Sequence, residues 1–191
     1  MARRNKPPDF LVQAKKILQQ RPRMVAIESQ KFFKDCFQKG GFTDEAFLSW
    51  KERLSPLGGK KVLIGKDNTM NLMQSIRVLE EGEERVRVGT DLVYAETHNE
   101  GAQITVTDKM KKFWWAMYYE FAGKVRRTQN GRISQSRANL IVNAKAEYCK
   151  NMALMKVGSK VKIPKRQFIG ESKTLMKQFE EWWEGEMDKL K

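Results

Sequence analysis

Histidine is nearly absent from this chain. Of 191 residues only His98 carries an imidazole, so the usual general base has a single candidate. No serine or cysteine stands beside it in a recognisable nucleophile motif, and no second and third ligand lie at metal-site spacing. Catalysis by a triad or a bound metal is therefore not expected, and His98 reads as a structural or interface residue. Cysteine is almost as scarce. Cys36 and Cys149 lie far apart, each inside a helix-like apolar pattern, which predicts two reduced, buried thiols of a cytosolic protein rather than a disulfide. No run of about 18 apolar residues occurs, so no transmembrane helix is expected. The charged start, MARRNKPPDF, has no apolar segment of the kind a secretory signal needs. Internal repeats and low-complexity tracts are lacking as well.

What is present describes a globular protein with 40% hydrophobic and 31% charged residues, enough for one core, or one core with an appendage. The net charge is +14, and it is unevenly spread. Residues 1–39 hold 10 Lys+Arg against 3 Asp+Glu, and 109–170 hold 15 against 2. By contrast, residues 40–108 and 171–191 are net acidic. Two basic blocks of this kind suit a surface that meets nucleic acid, a membrane or an acidic protein.

Taken in order, residues 1–8 form a loose basic arm. Asp9 caps a helix with Phe10, Leu11, Ala14, Ile17 and Leu18 at helical spacing. Pro22 is expected to break or kink it. A second helical segment carries Phe32, Phe33, Cys36 and Phe37 and ends at Gly40-Gly41. Thr43-Asp44-Glu45 reads as a further helix start, running through Phe47, Leu48 and Trp50 to Leu54. Val62–Ile64 reads as a short strand, and Asp67-Asn68-Thr69 as the cap of a short helix over Met70–Ser75. Arg77–Glu81 and Glu84–Thr90 alternate like the two strands of a hairpin around Gly82-Glu83. A helical turn around Tyr94 to His98 precedes a return at Ala102 and a β-branched strand through Ile104 and Val106.

Next comes a helix with Met110, Phe113, Trp114, Met117, Tyr118, Phe121 and Val125 on one apolar face, widened by Trp115 and Tyr119. A basic turn around Asn130-Gly131 leads to a second helix over Ser134–Met155, its stripe expected at Ala138, Ile141, Ala144, Tyr148, Met152 and Met155. The pair predicts a helical hairpin. A basic strand, Val161–Ile163, is stopped by Pro164. A turn through Arg166, Phe168 and Gly170 opens a closing helix, with Glu171 and Ser172 in its first turn and Leu175, Phe179, Trp182 and Trp183 on one side. The expected fold is α+β: one domain over 1–191 whose small, mostly antiparallel sheet of three or four strands is packed by N- and C-terminal helices. It carries an inserted helical hairpin at 109–159 and a closing helix at 172–190.

Two segments, Tyr94-Ala95-Glu96-Thr97-His98-Asn99-Glu100-Gly101 and Ile163-Pro164-Lys165-Arg166-Gln167-Phe168-Ile169-Gly170, resemble the paired signature of the phage virion morphogenesis family. Its members are the tail-completion proteins of Mu-like phages and prophages. In that family a tyrosine-to-histidine-to-glycine segment precedes, after a spacer of variable length, an Ile-Pro-x-Arg-x-Phe-Leu type motif and a last helix. The phenylalanine-rich helix, the Gly-Phe turn, Trp50 and the short helix before the sheet resemble its N-terminal part, so the likeness spans roughly residues 24–185. Gln167 departs from the pattern, since the family often has a second proline there. The resemblance implies a non-enzymatic virion assembly protein without cofactors, a tail-completion or head-tail joining (neck) component acting as a homo-oligomeric ring. Its neighbours would be tail tube, terminator or head-connector proteins, and its place the virion tail or neck, assembled in the host cytoplasm. Tyr94, His98, Gly101, Ile163, Pro164, Arg166, Phe168 and Gly170 then serve as structural motif residues.

Several features invite sharper readings. Glu80, Glu81, Glu83 and Glu84 suggest a carboxylate site, but their position at a hairpin turn makes them a solvated acidic knob, one that can also dock a basic neighbour head to tail. Gly58-Gly59-Lys60-Lys61 lacks the spacing of a phosphate loop. Phe113, Trp114, Trp115, Tyr118 and Tyr119 are candidates for an oligomer interface rather than for base stacking. Lys124, Arg126, Arg127, Arg132 and Arg137 are the candidates for phosphate contact, with a merely solvated basic face as the other reading. A basic nucleic-acid-binding protein working through 109–170 is the rival to the assembly role, although no helix-turn-helix, zinc or β-barrel signature supports it.

Overall fold

The structure, a computed structural model, describes residues 10–58, 61–65 and 69–190. The described residues form an α+β fold of six helices and three two-stranded antiparallel sheets. Where the sequence suggested one domain, contacts divide the chain into two compact units. The first comprises residues 1–50, 70–95 and 166–191, and the second 51–69 and 96–165. The charge divides with them: the second unit holds 19 Lys+Arg against 7 Asp+Glu, the first 18 against 16. Nearly all of the net +14 therefore belongs to the second unit.

The first unit is built on α1 (Phe10–Lys39), one unbroken 30-residue helix that contains Pro22. The expected break does not occur. Proline removes a single helical hydrogen bond, whereas packing continues on both sides of it, with Ile17 before and Ala26, Ser29, Phe33, Cys36 and Phe37 after all buried. Around Pro22, Met24 and Val25 also line an apolar groove with Met176, Phe179, Trp182 and Trp183. Gly40 ends the helix at φ +73°, its N–H bonded to the Cys36 carbonyl. Burial pushes the Cys36 thiol up to about 11, and both cysteines are free and buried, as expected. The expected helix cap at Asp9 and the basic arm at 1–8 lie outside the described residues.

The next expected helix is instead a hairpin of β1 (Gly41–Thr43) and β2 (Phe47–Ser49). The capping signal was real, but it serves another helix. Asp44 Oδ1 accepts from the Lys173 N–H at 2.8 Å and the Asp44 carbonyl from the Thr174 N–H at 3.1 Å, so this acid sits at the N-terminus of α6 (Lys173–Asp188). A carboxylate there meets the positive end of the helix dipole. Ser172 caps the same helix as expected, accepting from the Leu175 N–H, and donates to the Thr43 carbonyl at 2.7 Å.

A short α2 (Asn71–Ser75) leads into β3 (Arg77–Glu81), which pairs with β4 (Val86–Gly89) through an irregularity between Val78 and Glu80. The expected hairpin alternation is present: Val86 and Val88 are half-buried, Arg85 and Arg87 exposed. Both strands pack on α1, and Gln30 Nε2 donates to the Ile76 carbonyl at 2.9 Å. The acidic turn is exposed, with Arg85 holding Glu80 by three hydrogen bonds from its Nε and Nη2. No side chain caps α2, and Asp67 and Asn68 are not among the described residues.

In the second unit Val62–Ile64 is a turn rather than a strand, with Leu63 left-handed at φ 59° and the Ile64 N–H closing onto the Lys61 carbonyl. The helical turn appears as α3 (Ala95–Glu100), which begins at the edge of the first unit and runs into the second. β5 (Ala102–Thr105) pairs with β6 (Lys160–Ile163), so the expected single sheet is three separate pairs. Between these strands stand α4 (Asp108–Ala122) and α5 (Arg137–Leu154).

Candidate functional site

The two signature segments meet at one end of the β5–β6 ladder. Ala102 pairs with Ile163 and Thr105 with Lys160, and Val106 extends the ladder by exchanging hydrogen bonds with Ser159 and Gly158 at 2.8 and 2.9 Å. Gly101 directly precedes β5 and Pro164 directly follows β6, where the missing N–H ends the pairing. Gly101 turns at φ +76°, and a Cβ there would lie 2.8 Å from the Lys165 N and 3.0 Å from the Ile163 O. Beside it Lys165 Nζ pairs with Glu100 at 3.1 Å. This hydrogen bond, with one from Asn99, holds the Glu100 carboxyl below its ordinary range.

Gly101→Ala is therefore expected to destabilise the second unit by more than the about 1–3 kcal/mol that a strained backbone angle costs. Gly131→Ala isolates the angle, since Gly131 has a similar φ of +71° and no atom within 4 Å of its Cβ position. Urea midpoints of the two variants measure the difference, and equal losses would show that the approach of 163–165 does not matter.

The second half of the later segment belongs to the first unit. Phe168 is 1% exposed, its ring 5.1 Å from that of Phe37, which in turn meets Trp50 at 5.4 Å. Trp50 Nε1 donates to the Gln167 carbonyl at 2.7 Å. The Gln167 carbonyl is thus fixed by a tryptophan 117 residues away in sequence. Arg166 is buried, and Gly170 has a φ of +152° before the Ser172 cap. Of the earlier segment, Tyr94 is exposed and His98 is partly buried, with Nδ1 inside. These residues stand where a turn and a core need them. Among the described residues no group of three or more His, Cys, Asp or Glu is placed to hold a metal ion.

The helical hairpin is present and antiparallel: Trp114 meets Tyr148 at 5.8 Å, while seven residues on, Phe121 lies under Lys145. Its interior matches the expected stripe in its second half, where Tyr148, Met152 and Met155 are half-buried, and differs in the first. α5 buries Asn139, Ala146, Cys149 and Ala153, whereas Ala138, Ile141 and Ala144 are exposed. Small side chains on α5 make room for the large rings of α4, a complementarity of volume that apolar spacing alone does not reveal. The rotation is also set by Asn139. Its Oδ1 accepts from the Arg126 N–H at 2.7 Å, and its Nδ2 donates to the Arg126 and Ser134 carbonyls at 3.0 and 2.7 Å. Ser136 caps α5, accepting from the Asn139 N–H. The spacing of Ser136 and Asn139 marks a helix start, but nothing local identifies Asn139 as the hub of a loop.

The five candidate interface aromatics separate. Trp114 lies against α5, while Trp115 stacks on Tyr119 at 5.9 Å with Tyr118 beside both. No residue of α4 is fully buried, and Phe113 and Tyr119 are 54% and 67% exposed. The five basic candidates do come together, around the loop that joins the helices, and all are exposed. Lys124 pairs with Glu120 at 2.6 Å. In comparisons with protein-family models, curated proteins and solved structures, nothing matches this chain. No described helix is long and apolar enough to cross a membrane.

Proposed function

We propose that this protein is a structural component of virion assembly, a tail-completion or head-tail joining protein of a tailed phage or prophage, working as a ring of identical subunits and not as an enzyme. The observation that carries this reading is the junction of the two signature segments. Gly101 and Ile163–Lys165 are neighbours because β5 and β6 pair, so the glycine end of the first segment and the Ile-Pro start of the second are one piece of structure. The residues between them form a helical hairpin whose ends are clamped by the ladder. A spacer closed in this way can vary in length at little cost, because loop-closure entropy grows only slowly with the number of residues.

The ring draws on the aromatic flank of α4. Trp115, Tyr118 and Tyr119 form a cluster, Tyr119 exposed and the other two half-buried, of the composition that interfaces favour. The tail tube, terminator or head-connector proteins of the same particle are the neighbours expected above and below. Deleting the gene from an inducible prophage, with a complemented control, tests the role by electron microscopy of the lysate. Full heads accumulating beside separate tails fit the joining step, and overlong tails fit termination at the same ring. Normal infectious particles refute the proposal.

A further inference from the structure

We infer that the loop between α4 and α5 docks on the phosphate backbone of duplex DNA, without reading its sequence. From Val125 to Lys162 the chain has nine Lys+Arg residues and one acid, Glu147. None of the nine forms an ion pair with a described residue; the ion pairs nearest to this stretch use Lys124 and Lys165. Four of them, Arg126, Arg127, Arg132 and Arg137, gather at the loop with no acid between them in sequence, where they repel one another and an outside anion relieves that repulsion. α5 adds to it by opening on Arg137 with no acid in its first turn, which leaves the positive end of its dipole uncompensated.

The loop is shaped before any ligand arrives. Arg127 bridges to Ile133, the Ser134 N–H bonds to the Arg126 carbonyl at 3.0 Å, and the Thr128 N–H bonds to the Arg132 carbonyl at 2.8 Å. Asn139 anchors this small ladder to α5. Arg126, Arg127, Arg132 and Arg137 thus project from a fixed backbone with exposed guanidinium groups, and the fork of arginine donors matches phosphate oxygens. A lipid surface fits less well. Insertion needs exposed apolar groups, and the only large ones in the loop, Val125 and Ile133, are turned partly inward. The aromatic rings of α4 are stacked on each other rather than spaced for unpaired bases. Regularly spaced phosphates of a duplex backbone suit fixed arginine forks better than either. The inference stands apart from the assembly reading and does not need it.

The test is fluorescence anisotropy with a labelled 20-base-pair duplex, at several salt concentrations, on the full-length protein. The variant R126Q/R127Q/R132Q/R137Q is compared with K15Q/K16Q/R23Q/K31Q, which removes the same charge from exposed positions of α1. Circular dichroism melts check that both remain folded. The loop variant is expected to bind about 100-fold more weakly near 0.1 M salt, with the slope of log K against log salt reduced by about 3. The α1 variant should stay within a few-fold of the parent. Equal losses in both variants would overturn the inference, because net charge alone would then explain binding. It is equally overturned by a parent protein that ignores the duplex, including one that binds vesicles of phosphatidylserine and phosphatidylcholine through the same arginines.

Discussion

Phe168→Ala is expected to cost about 3–5 kcal/mol, the range for removing a fully buried phenylalanine and leaving part of its volume empty. Its ring closes a cluster with Phe37 and Trp50 that draws on α1, the end of the first hairpin and the approach to α6. The loss therefore falls on long-range packing rather than on one helix. Trp50 gains from the same arrangement, since its indole N–H is held by the neighbouring Gln167 carbonyl. Urea denaturation followed by tryptophan fluorescence measures the effect through the shift in midpoint. Phe168→Leu, which keeps most of the apolar volume, should lose much less. If alanine and leucine cost the same small amount, Phe168 does not anchor the core of the first unit.

The second large effect is expected in the other unit. Asn139→Ala deletes three hydrogen bonds and leaves the Arg126 N–H and the Ser134 carbonyl to find water. An abandoned buried polar group costs about 1–3 kcal/mol, and the Arg126 carbonyl keeps its bond from the Ser134 N–H. We expect a net loss of about 2–3 kcal/mol, concentrated where the loop joins α5. Amide hydrogen exchange resolves this directly: protection should fall at Arg126 and through the first turn of α5, and hold in α1. A uniform loss of protection would mean that Asn139 supports the whole fold, and no loss would mean that the loop keeps its shape through its own ladder. The same variant bears on the basic loop, because releasing Arg126 to Ser134 should weaken duplex binding without removing any charge.

Much of the local structure was legible before any coordinates. The β3–β4 hairpin follows from the alternation along β4, the end of α1 from Gly40, the end of β6 from Pro164, and the start of α6 from Ser172, because each of these signals acts within a few residues of itself. The strand character of β5 and β6 was likewise implied by their β-branched residues, though not that the two pair with each other rather than joining one larger sheet. The basic character of the helical hairpin was visible as charge along the chain.

Tertiary structure decided the rest, and the reasons are physical. Asp44 reads as a helix start, and only the fold reveals that the helix it serves begins more than a hundred residues later. Pro22 reads as a break, yet packing along both halves of α1 outweighs one lost hydrogen bond. On α5, apolar spacing pointed to Ile141 and its neighbours, while the rings of α4 required small residues and Asn139 required the inside. Sequence by itself determined which segments are helix, strand and turn wherever the cause is local, and where the positive charge lies. Which face is buried, which cap serves which helix, and which distant glycine meets which strand depend on partners far away in sequence, and those contacts exist only once the chain has folded.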